Sequence, residues 1–443
     1  MQRTLWEEFL HDHPNVEFVW VQYLAYNATP LVQVLPVARF TELVQTGQPI
    51  PFVKAGIHLE PFDRMPAGVT PGGVCYLQPN MTTAYCKGGP NSHRAVVMAS
   101  CLDMDGNPLD ECPKARLVTL SDTIAAETGC DVSVGFEIEV VYLRRVKENK
   151  RTIGYESLDE PHSVFSMTAD DQNHLEMLET TVRALLAAGI AIEKFHAEAA
   201  PGQWEFALPP DSPLNAADML LRATSIISDV AESYDLRATM CPRPLGRDPC
   251  SGRHVHLSLN PRDGGRENNP AEAFFAGIIH HLPAVMALTL ARDMSYSRVA
   301  NGICSGGEYA CWGWQNKEVA LRRIALNRFE MKLLDGLANP YLALCGLLAA
   351  GLDGLRRKLP LTAGSCPFAT DKLSSAEREA LGITTLLPKS LPASLDALEA
   401  DGELCALIGD SIVNPYVSMK RAEVEVFGGM DEKEKRDYLI GRY

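Results

Sequence analysis

The chain lacks several features that would have settled its class at once. Its 12 cysteines are scattered over 443 residues with no C-x-x-C pair, so they read as reduced thiols of a cytosolic protein. Met1 to Glu8 has no apolar core of the signal-peptide kind. No uninterrupted apolar run reaches 18 residues, which speaks against a membrane partner. The longest helix-like apolar stretch, Tyr341 to Leu355, is broken by glycines and is expected to be a buried helix. There is no internal repeat and no low-complexity segment. Positive charge is also scarce. The net charge is −15 and the pI is near 5.2, which argues against a general nucleic-acid surface. An anionic substrate would have to be met by local Arg, Lys or metal, because the overall field repels it.

What is present is an ordinary globular composition, 46% hydrophobic and 22% charged. The length suits one large domain with a smaller one. At the centre stands Gly135-Phe136-Glu137-Ile138-Glu139-Val140-Val141. In a strand, residues i and i+2 share a face, so Glu137 and Glu139 project together, opposite Phe136, Ile138 and Val140. Two carboxylates side by side on a half-buried face repel each other and resist desolvation. A divalent cation between them would resolve that, and so would an exposed edge with two solvated glutamates. This stretch alone leaves both readings open.

Around that centre the chain reads as follows. A helix is expected over residues 1–14, then strands 16–24 and 31–36 as a hairpin, then a helix over 38–45. Residues 56–90 are rich in Gly, Pro and polar side chains and read as irregular. Residues 95–102 form a strand, and Asp103 to Pro108 is a turn rather than a calcium loop. A domain boundary is placed near Cys112-Pro113, giving domains 1–112 and 113–443. Helices are expected over 119–127, 170–189, 215–234 and 271–290, strands over 190–200 and 251–259, and mainly helix thereafter.

Chemistry accumulates on the strands. His196-Ala197-Glu198 repeats the i, i+2 arrangement, and Glu205 follows a Pro-Gly turn. His254, His256 and Ser258 share one face of an alternating segment, and Arg328, Glu330 and Lys332 share another. One such residue is usually surface decoration, but four alternating segments are harder to explain that way. Converging carboxylates and imidazole would hold two or three divalent cations.

These segments carry a resemblance. GFEIEV, HAEAAPGQWEF, SGRHVHLSL, EYACWGWQN, LRRI and RFEMKLLDGLANPYLALCGLLAAGLDG are similar in order and spacing to the glutamine synthetase family over most of the chain. The resemblance implies an α+β fold, with a small amino-terminal β-grasp domain and a large catalytic domain built on a curved antiparallel sheet. It implies an ATP-dependent carboxylate–amine ligase that works through an acyl phosphate, with ATP and Mg²⁺ or Mn²⁺ as cofactors. It places Glu139, Glu198 and Glu205 on a first metal and Glu137, His254 and Glu330 on a second. It puts His196, His256, Ser258 and Lys317 near the nucleotide and Arg322 on the transferred phosphate. Arg298 would hold a substrate carboxylate, and Glu308 would close the site and take a proton from the amine. It further implies a cytoplasmic homo-oligomer of stacked pentameric or hexameric rings.

The departures from the family pattern fall on the substrate side. Pro249-Cys250 stand where the family has Asn-Gly, while Lys317 and Lys332 replace arginines. Lysine keeps the charge but loses the planar fork. Asp63 lacks the motif that surrounds the family's ammonium-binding aspartate. The expectation is a ligase with altered acid and amine pockets, either a glutamine-forming enzyme or a γ-glutamyl amide ligase for a larger amine. A non-catalytic relative is the reading of another class, and loss of metal ligands would mark it.

Overall fold

The computed structural model describes every residue except 1, 61–62, 71, 161–162, 247–248, 263–269 and 362–363, and at 170 the backbone only. Pro61 and Phe62, beside Asp63, therefore lie outside the described residues.

The chain opens with α1 (Gln2–Asp12) and the hairpin β1 (Phe18–Leu24) and β2 (Pro30–Pro36), followed by α2 (Val37–Thr46) and β3 (Ile50–Val53). Val19, Val21 and Tyr23 alternate inward along β1 and are buried, the period-2 pattern of a strand with one covered face. Two more strands, β4 (Val74–Cys86) and β5 (Arg94–Leu102), complete a five-stranded sheet of order β2-β1-β5-β4-β3. β1 and β5 pair in parallel and the other neighbours are antiparallel. A hairpin, a helix and a parallel first-to-last pairing make a β-grasp.

The expectation of an irregular 56–90 is corrected here, because 13 of those residues form β4. Pro79 and several polar side chains interrupt the apolar alternation, and the pairing with β5 shifts between Asn80 and Tyr85. The strand is held by its neighbours rather than announced by its own pattern.

The second layer begins with α3 (Pro113–Thr128), whose proline sits in the first turn, and continues into β6 (Cys130–Glu148), 19 residues long. Then come β7 (Arg151–Ser157), α4 (Ala169–Gln172), α5 (Leu175–Ala187), β8 (Lys194–Ala197), β9 (Gln203–Ala207), α6 (Pro213–Ser233), β10 (Leu236–Thr239) and β11 (Val255–Pro261). After α7 (Ala271–Thr289) come β12 (Trp312–Trp314), β13 (Leu321–Ala325) and β14 (Arg328–Met331). Among the described residues nine strands join one sheet, with β12-β13-β14-β11-β6-β9-β8 as its main path. The β12–β13 pair is parallel, so the sheet is mixed rather than wholly antiparallel as expected. Expected strands also shrink: His254 precedes β11 by one residue and Glu198 follows β8 by one.

Behind the sheet, α7 packs on α8 (Pro340–Arg357), and both are largely buried. α7 is long and apolar enough to span a membrane by length and composition, although 72% of that window lies inside the fold. Among the described residues it, rather than the 341–355 stretch, is the helix that meets that test. The chain closes with α9 (Ser375–Ala380), α10 (Leu391–Ala400), α11 (Gly402–Ile408), α12 (Asp410–Gly428) and α13 (Glu432–Arg442).

Candidate active site

Strand register assembles the site. Across β6 and β9, Glu139 stands opposite Glu205, and across β9 and β8, Glu205 stands opposite His196. On the other flank, His256 of β11 is opposite Glu330 of β14, which is opposite Arg322 of β13. Glu137, one pleat from Glu139, reaches His256 Nε2 at 3.1 Å. The apolar partners Phe136, Ile138 and Val140 are buried on the far face, each contributing about 1.5–3 kcal/mol to holding β6 in this register.

Two close turns carry the remaining ligands. Gly202 has φ +66°, and a Cβ there would lie 2.4 Å from the Tyr142 carbonyl, so only glycine allows the turn between Glu198 and Glu205. A Cβ on Gly252 would lie 2.6 Å from His254 Nε2. The Gly252 amide donates to Glu139 Oε2 at 2.7 Å, and the Ser251 hydroxyl donates to the Glu139 carbonyl at 2.9 Å.

The site has two electrostatically different halves. In one, ligand atoms of Glu137, His256 and Glu330 lie within 4.8 Å of one another. His254 Nδ1 lies 3.3 Å from Glu137, 3.4 Å from Glu139 and 3.4 Å from Glu330. Lys332 Nζ donates to Glu330 Oε1 at 2.9 Å. Burial alone would raise the Glu330 carboxyl, but Lys332 and His254 outweigh it and hold the group at about 2. Glu137 is likewise held well below the usual carboxylate range, by His254 and His256 against its burial.

The other half is compensated more weakly, by a half-exposed Lys194 whose Nζ lies 3.6 Å from Glu205. His196, Glu198 and Glu205 place ligand atoms within 4.8 Å, and Glu139 faces Glu205. Burial, Glu139 and Glu205 together push Glu198 up to about 7. His196 Nε2 lies 3.1 Å from Glu205; burial would lower the imidazole, but Glu205 raises it overall. Three crowded carboxylates with one imidazole are the donor set a hard divalent cation takes. The residues fit a divalent cation on that ground.

The other expected residues take these places. Arg322 donates to Glu330 at 3.0 Å and to Gln315 at 2.9 Å. Lys317 is exposed, and its charge reaches Glu198. Ser258 lies one pleat beyond His256, opposite Arg328, and accepts from Asn260. Arg298 is buried beneath this wall, donating to the Ser251 carbonyl, to the Lys332 carbonyl at 3.0 Å and to His254 Nε2 at 3.2 Å. It is thus engaged with the protein rather than presented to open space. Glu308 is ion-paired with Lys389 and accepts from Asn301 at 2.7 Å. Asp63 is exposed. Cys250 Sγ accepts from Arg243 Nε at 2.8 Å.

Two contacts escaped the sequence reading. Gln203 Nε2 donates to Glu139 Oε2 at 2.8 Å, and Gln203 shares with Glu205 the inward parity of β9, a signal that was available. Lys389 reaches Glu308 across 81 residues because the Leu387 amide bonds to the Glu308 carbonyl; no periodicity reports such a pairing.

Comparisons with known proteins bear on these residues. Residues 110–438 match the family model described as glutamine synthetase, catalytic domain. The chain is 39% identical over 442 residues to protein fluG of Emericella nidulans, covering 99% of this chain and 50% of that one. It therefore spans about half the length of that relative. It is 33% identical over 268 residues to gamma-glutamylpolyamine synthetase GlnA3 of Streptomyces coelicolor, 56% of either chain. A crystal structure described as a novel glutamine synthase homolog superposes with a TM-score of 0.80 at 26% identity, covering 97% of this chain and 99% of that one.

Proposed function

Because the chain belongs to the glutamine synthetase family of ATP-dependent ligases, we propose that it joins a carboxylic acid, glutamate or an analogue, to ammonia or a primary amine. ATP phosphorylates the carboxylate, and the amine then displaces phosphate from the acyl phosphate. The observation that carries this reading is the pair of carboxylate–imidazole clusters, one with Lys332 on Glu330 and one with Glu139, Glu198 and Glu205 crowded together.

Glu139, Glu198 and Glu205 would hold one divalent cation, and Glu137, His254 and Glu330 a second, with His196 and His256 beside them. When bound, such cations neutralise charge on the phosphates and the transferred phosphoryl group. The chain's own residues supply the rest. Arg322 and Lys317 bring positive charge to the phosphate side. Gln203 and the Gly252 amide orient Glu139. Glu308 accepts a proton from the incoming amine and keeps water from the acyl phosphate. We read 1–112 and 113–443 as the two domains of a cytoplasmic homo-oligomer.

An amine larger than ammonia is the second reading. It is supported by Pro249-Cys250 and Lys332 on the substrate side and by the similarity to a gamma-glutamylpolyamine synthetase. Phosphate release from ATP and Mg²⁺ tests both, run with glutamate plus ammonium, hydroxylamine or a panel of primary amines and with products identified by mass. Turnover with ammonium means glutamine formation, and turnover only with larger amines means a γ-glutamyl amide ligase. Release only with another acid places the novelty around Pro249, Cys250 and Lys332. Bound ATP without any turnover across the panel contradicts the ligase reading.

A further inference from the structure

A cavity of about 870 Å³ lies apart from the acidic centre, walled by α12, α13, the turn after β10, residues 293–297 and the start of α10. Its volume is that of a small-molecule pocket, and none of the metal, nucleotide or phosphate residues named above lines it. Leu391, Phe427 and Leu439 give it an apolar floor. Its charged lining is five basic side chains against three acidic ones, a local positive excess in a chain of net −15.

Four of the five bases are already paired. Arg292 meets Glu423, Lys435 meets Glu432, and Lys433 and Arg436 both meet Asp437. Arg243 differs. Its Nε donates to the Cys250 thiol and its Nη2 to the Ser297 carbonyl at 3.4 Å, and among the described residues no carboxylate pairs with it. A guanidinium whose described partners are a thiol and a long carbonyl bond can grip an anion with its planar fork.

We propose that this cavity binds a small organic anion with an aromatic body, of the aryl carboxylate or aryl sulfonate class, its charged group on Arg243 and its ring against Phe427. The anion competes with Cys250 and Ser297 for Arg243. The proposal stands on the cavity alone and does not depend on the ligase reading.

The probe is 8-anilinonaphthalene-1-sulfonate, titrated by fluorescence into the full chain, into Arg243→Gln and into Gly428→Trp. Gly428 lines the cavity, and a Cβ there meets nothing within 4 Å, so a bulky side chain can be attached there without a clash at its Cβ. The expected result is saturable binding to the wild type, at least tenfold weaker in Arg243→Gln, lost in Gly428→Trp and indifferent to ATP with Mg²⁺. Benzoate should displace the dye. Equal binding to all three proteins overturns the proposal. So does displacement by ATP with Mg²⁺, which puts the dye in the acidic centre. Loss in Gly428→Trp with Arg243→Gln unchanged overturns it as an anion site.

Discussion

Glu198 is where the cost of the site is concentrated. Its carboxyl is raised to about 7 by burial and by two neighbouring glutamates. A group raised in the fold stabilises below its ordinary value and loses that contribution as the pH rises through the raised one. Without cation, the protein should therefore lose stability between about pH 5 and pH 7 from this group. Glu198→Gln should melt higher than the wild type at pH 8 when metal is chelated, and close to it at pH 5. The same variant should bind Mg²⁺ at least about tenfold more weakly, since a ligand is lost. Melting curves with chelator and with Mg²⁺ at both pH values check this; a variant less stable than wild type under chelation at pH 8 contradicts it. Lys389 gives a second expectation at this scale. It pairs with Glu308, so Lys389→Met should free the glutamate and let water in. Phosphate released per amide formed should rise several-fold, and an unchanged ratio would remove Lys389 from the account.

At the scale of elements, much of the site was legible because a strand's parity is visible in its own residues. Glu137 and Glu139 on β6, Glu330 and Lys332 at β14 and His254 and His256 at β11 all fall on one face as their alternation requires. Parity does not report register. That Glu139 faces Glu205, and His256 faces Glu330, is decided by pairings between strands far apart in the chain. β4 was missed because Pro79 and its polar neighbours erase the alternation. β8 and β11 stop one residue short of Glu198 and His254, which stand just outside the strands. Among the helices, His281 of α7 is buried between Asp401 at 2.6 Å and Asp353 at 3.0 Å. Burial would lower the imidazole, but the two aspartates raise it. Its contribution is present below the ordinary histidine range and is lost as the pH rises through the raised value. His281→Gln should cost about 3 kcal/mol at pH 6, as for breaking a buried pair, and less at pH 9. Denaturant unfolding at the two values measures it, and a gap that widens with pH contradicts the assignment.

For the whole molecule, the β-grasp sheet and the large sheet are separate layers of one chain, with Pro113 opening the helix that leads to the second. Rings of the kind the family resemblance implies would bring one subunit's small domain to its neighbour's sheet, giving a role to the 56–90 stretch. Light scattering should then report an oligomer, and a monomer that still turns over substrate would contradict that arrangement. The central claim is the chemistry. Its most direct test follows oxygen from the acid to phosphate, using the acid that supports turnover, labelled with ¹⁸O in its carboxylate, together with ATP, Mg²⁺ and the amine. Transfer through an acyl phosphate places one carboxylate oxygen in each phosphate released, and the account expects phosphate carrying one ¹⁸O. Unlabelled phosphate alongside amide product, or phosphate formed with no amide at all, would contradict it.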